Sequence, residues 1–260
     1  MERFFPEGIT TPTLKEREKF YEEEFDIPKI KRLNYRWERP ILALDVGTET
    51  TRYRRKFKEY LGKTVYLREY NDFDQLIGKV RRYSPETLYY DTRIYDQDPR
   101  QTNSIWEKPS GKQLVFCVTP DQVECKRCRR TRERNSGKRL VDKTFCEKCF
   151  EETAEKANQL RKFMKRNFDY VEAFFAGREF VIHVLDADGF EIEGHQRDVM
   201  VSKLAERFPI DQEFSSSKNH LTVMPGSLNG ITGRKVVKVK SHEFKLPEKI
   251  LHEKSEPECF

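Results

Sequence analysis

The chain runs to 260 residues, long for one domain and short for two, so a single domain over residues 1–260 with an inserted module is expected. Its 19 Phe and 11 Tyr exclude general disorder, and with no apolar run near about 18 residues and no signal-like leading stretch it is expected to be cytoplasmic, without membrane contact. The 50 basic residues against 44 acidic ones leave +6, which permits a polyanionic partner without requiring one and equally matches the charge density of hyperthermophile proteins.

In chain order, residues 14–25 carry a helical pattern and Pro40-Ile41-Leu42-Ala43-Leu44 reads as a short buried strand. Residues 72–82 suit a helix, with Phe73, Leu76, Ile77 and Val80 at helical spacing. Residues 87–90 and 113–118 read as core strands. Residues 151–168 form an amphipathic helix with Ala157, Leu160, Met164 and Phe168 on one face. Two strands follow over 171–185 around Ala176-Gly177-Arg178, then a helix over 196–208 with Met200, Leu204 and Phe208 aligned, and a last strand over 235–240. Strands and helices interleave without the repeating unit of a doubly wound sheet, so the fold class is α+β.

Cys125-Lys126-Arg127-Cys128 and Cys146-Glu147-Lys148-Cys149 are two CxxC pairs with 17 residues between the inner cysteines. Each turn can present two sulfurs to one ion, and two turns complete the tetrahedral shell that Zn²⁺ prefers. Two disulfides or four inert thiols are the competing readings, and a cytoplasmic address disfavours disulfides. Four thiolates leave no open position for water, so the expected zinc is structural. It would stiffen a loop with nine basic residues from Lys126 to Lys143, among them Arg127, Arg129 and Arg130. That loop is either a contact for nucleic-acid phosphates or a solvated charged face. Cys117 lies in an apolar strand and reads as a core residue.

Three segments resemble the small (catalytic) subunit family of archaeo-eukaryotic DNA primases. Pro225-Gly226-Ser227-Leu228-Asn229-Gly230-Ile231-Thr232-Gly233 is similar to the family's nucleotide-binding PGS turn. Phe175-Ala176-Gly177-Arg178-Glu179-Phe180-Val181-Ile182-His183-Val184 is similar to its histidine hairpin. Leu114-Val115-Phe116-Cys117-Val118-Thr119-Pro120-Asp121 is similar to its metal-ligand strand. The family also inserts a zinc module after that strand, here over 122–150. The resemblance therefore implies a primase-like mixed core with an inserted zinc-binding module, and a primase large subunit or another replication protein as partner.

The departures fall where the family's chemistry would be. Its two strand aspartates align with Cys117 and Thr119, its third with Ser217, and its first hairpin histidine, which helps hold the triphosphate, with Val181. Only the second histidine remains, as His183. Nucleotidyl transfer needs carboxylates to hold Mg²⁺ or Mn²⁺ against the triphosphate, and neither a thiol nor an uncharged hydroxyl replaces them. Two readings follow. In one the chain is a catalytically silent accessory subunit that binds nucleic acid or replication proteins. In the other it is a divergent primase using Mg²⁺ or Mn²⁺ on relocated carboxylates, with Asp186 and Asp188 as candidates unless Asp186-Ala187-Asp188-Gly189 is only a polar turn. A zinc-ribbon protein unrelated to primases is the third. Phosphate binding could persist at Gly226 and Ser227 through a backbone amide and a hydroxyl, unless those residues only preserve turn geometry. Arg178 and His183 complete the candidate nucleotide or nucleic-acid site.

Overall fold

The computed structural model describes residues 9–25, 41–94, 109–126, 128 and 145–240. Pro40 of the first expected strand, and Arg127, Arg129 and Arg130 of the basic loop, lie outside the described residues.

In chain order the first half holds α1 (Leu14–Glu23), β1 (Leu42–Asp45), β2 (Thr64–Leu67), α2 (Phe73–Tyr83), β3 (Thr87–Asp91), β4 (Arg93–Ile94), β5 (Gly111–Lys112) and β6 (Leu114–Val118). The second half holds α3 (Glu147–Met164), β7 (Val171–Phe175), β8 (Phe180–Val184), α4 (Ala187–Glu191), α5 (Gly194–Ala205) and α6 (Gln212–Ser215). It ends with β9 (Leu221–Val223), β10 (Leu228–Asn229), β11 (Arg234–Lys235) and β12 (Val237–Lys238).

Helices α1 and α2 begin where short polar side chains replace missing backbone partners. Thr13 opens α1 with a capping box: its hydroxyl accepts from the Glu16 amide at 3.2 Å, and the Glu16 carboxylate accepts from the Thr13 amide at 2.7 Å. Asp72 opens α2 by accepting from the Gln75 amide at 2.8 Å, and the helix ends at Ser84, whose φ of +46° precedes Pro85.

Two antiparallel four-stranded sheets carry these helices. The first has the order β2-β1-β3-β9 and the second β12-β7-β8-β6. The first sheet buries Leu42, Leu44 and Leu88 against Phe20 and Tyr21 of α1 and Leu76 and Val80 of α2. The second buries Phe116, Ile182 and Phe175 against Phe150, Ala157 and Leu160 of α3. Each fully buried Leu or Phe contributes roughly 1.5–3 kcal/mol. A smaller apolar cluster, with Val115, Phe174, Ala176, Val181, Val223 and Val236, joins the two sheets.

Strand alternation sorts the second sheet into two faces. Phe180, Ile182 and Val184 of β8 point to α3, whereas Val181 packs in the cluster between the sheets. On β6, Leu114, Phe116 and Val118 face α3 and Val115 the other way, so Cys117 shares the face of Val115.

Three expectations need correction. The helix expected over 151–168 starts four residues earlier, at Glu147, because Cys146 serves as its N-cap and the second cysteine pair forms its first turn. The helix expected over 196–208 runs Gly194–Ala205. The single strand expected over 235–240 is two short pieces, because the chain changes partners at Val236. Arg234 and Lys235 pair with β10, the Val236 amide donates to the Ser227 carbonyl at 2.7 Å, and Val237 and Lys238 pair with β7. This exchange stitches the PGS turn to the second sheet.

Candidate functional site

The sulfur atoms of Cys125, Cys128, Cys146 and Cys149 all lie within 4.8 Å of one another, the one cluster of three or more potential metal ligands among the described residues. Neighbouring sulfurs are 3.8 Å apart for Cys125–Cys146, 3.5 Å for Cys146–Cys149 and 3.6 Å for Cys149–Cys128. A tetrahedral shell with metal–sulfur bonds of about 2.3 Å has edges near 3.8 Å, so the quartet is spaced to fit zinc. Cys128 and Cys149 are buried within the main core and Cys125 and Cys146 pack against it. The quartet is therefore part of the second sheet's packing and not a detached knuckle.

The positions that the resemblance assigns to catalytic metal ligands have other occupations. Cys117 is buried, its thiol pushed up by that burial, and its amide donates to the Ser215 hydroxyl at 3.1 Å. Thr119 is spent as the N-cap of the 3-10 turn Pro120–Gln122, accepting from the Asp121 amide at 3.4 Å. Ser217 donates its amide at 2.7 Å and its hydroxyl at 2.8 Å to the Asp198 carboxylate. Val181 stands directly opposite Cys117 across the β6–β8 pair and is 1% exposed. A protonated thiol, two engaged hydroxyls and a valine do not fit Mg²⁺ or Mn²⁺, which require charged oxygen ligands.

The candidate binding residues are also engaged. His183 is fully buried, its Nδ1 3.1 Å from the Tyr90 hydroxyl, and burial holds its pKa down to about 3. Tyr90 in turn donates to Gln113 Oε1 at 2.8 Å. Arg178 is 3% exposed and pairs with Asp121 at 2.5 Å, with its guanidinium 5.9 Å from the Phe145 ring. It ties the hairpin to the approach of the cysteine quartet. In the PGS turn the Gly226 amide donates to Val236 and the Ser227 amide and hydroxyl both donate to Met224, the hydroxyl at 2.6 Å. Those donors, which the sequence left open for phosphate, are used within the turn and by Val236 beside it.

Asn229 supplies the contact that locks hairpin and turn together. Its Nδ2 donates to the Ala176 carbonyl at 2.8 Å, while its Oδ1 accepts from the amides of Ile231 and Thr232 at 3.0 and 3.1 Å. Gly177, at φ +90°, packs so closely on Asn229 that a Cβ there would stand 2.3 Å from the Asn229 Cβ.

The acidic candidates Asp186 and Asp188 do not share a strand face. Asp186 precedes α4 and its carboxylate accepts from the amides of Asp169 and Tyr170 at 3.1 and 2.9 Å; Asp188 lies in the first turn of α4. The segment is neither a strand face nor a plain turn, since Ala187, Asp188 and Gly189 lie inside the short helix α4. The group around Asp198 was not anticipated. Beside it, Lys112 donates to the carbonyls of Ser216 and Ser217 at 2.7 and 3.2 Å, and burial with the nearby Arg197 brings its pKa down to about 7. Nothing in local sequence joins Lys112 to residues about a hundred positions later, so no motif could have found it.

No family model matches the chain. An uncharacterized DNA primase small subunit-like protein of Archaeoglobus fulgidus is 25% identical over 240 residues, which is 88% of this chain and 85% of that protein. The similarity to primase small-subunit-like proteins thus extends across most of the chain, well beyond the three motifs. Among solved structures, the polymerase domain from Mycobacterium tuberculosis Ligase D in complex with DNA aligns with a TM-score of 0.49 at 11% identity, covering 89% of this chain and 81% of that one. No described helix is long and apolar enough to cross a membrane.

Proposed function

We propose that this chain is a primase small-subunit-like protein that has lost metal-dependent nucleotidyl transfer and serves as an accessory subunit, binding nucleic acid or replication proteins. The observation that carries the reading is the direct pairing of Cys117 with Val181. A thiol and a valine stand where the family's chemistry needs a carboxylate and an imidazole, and Val181 is packed into the apolar cluster joining the two sheets. Water and ions are disfavoured in such surroundings. The cysteine quartet would hold a structural Zn²⁺, whose ligand shell leaves no position for a substrate.

The relative's similarity to primase small subunits supports a place beside a primase large subunit or another replication protein. The nine basic residues from Lys126 to Lys143 support a phosphate-backbone contact, which is sequence-independent and weakens with salt. Anisotropy of a labelled single-stranded DNA, titrated with the zinc-loaded full chain at two salt concentrations, tests this. Salt-sensitive binding is the expected result. No binding at low salt would remove nucleic acid from the reading and leave a protein partner.

A further inference from the structure

Two large hydrophobic side chains are exposed among the described residues, Tyr170 just before β7 and Val199 on α5. A single exposed apolar group is ordinary, but Val199 has particular neighbours. Val199, Lys203 and Arg207 are spaced by four and form one row along α5. The last turn carries the row past Ala205, since the Arg207 and Phe208 amides both donate to the Leu204 carbonyl, at 3.0 and 2.9 Å. Away from this row, the helix buries Arg197, Val201 and Leu204.

The row ends on α3. The Arg207 guanidinium lies 5.7 Å from the Phe163 ring and 5.6 Å from the Phe208 ring. Contact with ring faces fixes a guanidinium without consuming its N–H donors. Phe163 is half-buried, with Lys162 beside it in sequence and Arg166 one turn further on. Lys162, Arg166, Lys203 and Arg207 are all exposed, and no side chain of the four has an ion-pair or hydrogen-bond partner among the described residues. Glu206, in the same stretch, pairs with none of them. Cations gather at helix C-termini because they offset the dipole, which explains their number but not the valine in their line. A phosphate backbone would use the four cations and leave Val199 in water. A peptide with carboxylates around an apolar side chain uses both, as protein interfaces do.

We propose that this face, made by the outer row of α5 and the end of α3, docks an acidic segment of a protein partner through an apolar side chain flanked by carboxylates. The proposal rests on the accessory reading above and gives its protein partner residues other than those of the basic loop.

The test uses the zinc-loaded full chain and the anisotropy of three labelled probes: a peptide of repeated Glu-Glu-Leu, polyglutamate of the same charge, and a thymidine oligonucleotide. The wild type should bind the leucine-containing peptide at least about tenfold more tightly than polyglutamate. Lys203→Glu combined with Arg207→Glu should weaken that peptide at least about tenfold, since two attractions become repulsions. A Lys-Lys-Leu peptide should bind this double variant better than it binds the wild type. Val199→Ser, at an exposed position that leaves the fold intact, should weaken the Glu-Glu-Leu peptide about fivefold and leave polyglutamate unchanged. Peptide binding that is absent, unaltered in both variants or indifferent to leucine overturns the site. Oligonucleotide binding that falls as far as peptide binding in the double variant overturns it too, and assigns the face to nucleic acid. A wild type that binds the oligonucleotide but not the peptide loses this face alone. One that binds neither loses nucleic acid from the accessory reading as well.

Discussion

Cys117 of β6 and Val181 of β8 are direct cross-strand partners, both 1% exposed. Side chains opposite each other on one face of an antiparallel pair are in contact range, so any ion held by one would touch the other. An acidic residue at Cys117 would enter the low-dielectric space beside Val181 without a counter-charge of its own, because Arg178 is already paired with Asp121. Cys117→Asp should therefore lower unfolding free energy by roughly 3–5 kcal/mol, the usual cost of an uncompensated buried charge. Urea unfolding of variant and wild type measures it. A loss within experimental error of zero would mean that the position is wet.

The cysteine quartet makes a second prediction. Cys146 lies within 3.8 Å of Cys125 and 3.5 Å of Cys149, and it is also the N-cap of α3. Cys146→Ser should reduce bound zinc from roughly one ion per chain to a small fraction of that. It should also loosen the start of α3, where Cys149 and Phe150 are buried in the main core. Metal analysis after dialysis, with circular dichroism on the same samples, checks both effects. Full zinc occupancy in the variant would remove Cys146 from the ligand set.

The two glycines of the resemblance motifs should respond differently to alanine. Gly226, at φ +81° with open space around it, carries only backbone strain, and Gly226→Ala should cost about 1 kcal/mol. Gly177, at φ +90°, adds a collision with the Asn229 side chain. Gly177→Ala should then cost more, about 3 kcal/mol or above, because Asn229 is held by its bond to Ala176 and cannot easily withdraw. Equal costs at the two positions in chemical denaturation would show that hairpin and turn are not locked together.

Stability should also fall with acid through His183. Its pKa is lowered from 6.5 to about 3 by burial. Between those values the unfolded chain binds a proton at this residue and the folded chain does not. The folded state therefore keeps its full advantage above pH 6.5 and loses it as pH falls towards about 3, roughly tenfold in the folding constant per pH unit. His183→Asn removes the titration while retaining a polar partner for Tyr90. Its stability should fall less steeply between about pH 7 and about pH 4.5 than that of the wild type. Parallel profiles would mean that His183 titrates alike in the folded and unfolded chains.

Much of this organisation could be read from the residues. The periodicity of Phe73, Leu76, Ile77 and Val80 gave α2 to within one residue because Asp72 caps it and Ser84 ends it. The CxxC spacing brought four sulfurs together, since the motif encodes its own geometry. What stayed hidden depends on contacts distant in sequence. Arg178 carries no local sign of its pairing with Asp121, 57 positions away. The break at Val236 follows from a change of strand partner, which no hydropathy pattern records. Arg234 carries no local sign of its burial, although it is buried and its neighbour Lys235 is only half-buried.

Primer synthesis and primer extension on single-stranded DNA, with the zinc-loaded full chain and Mg²⁺ or Mn²⁺, test the central claim most directly. Asp188→Ala run in parallel probes a relocated carboxylate, since Asp186 is occupied by the amides of Asp169 and Tyr170. The account predicts no product above the metal-free background from folded protein. Metal-dependent product from the wild type, lost in Asp188→Ala, would contradict it and place catalytic carboxylates outside Cys117, Thr119 and Ser217.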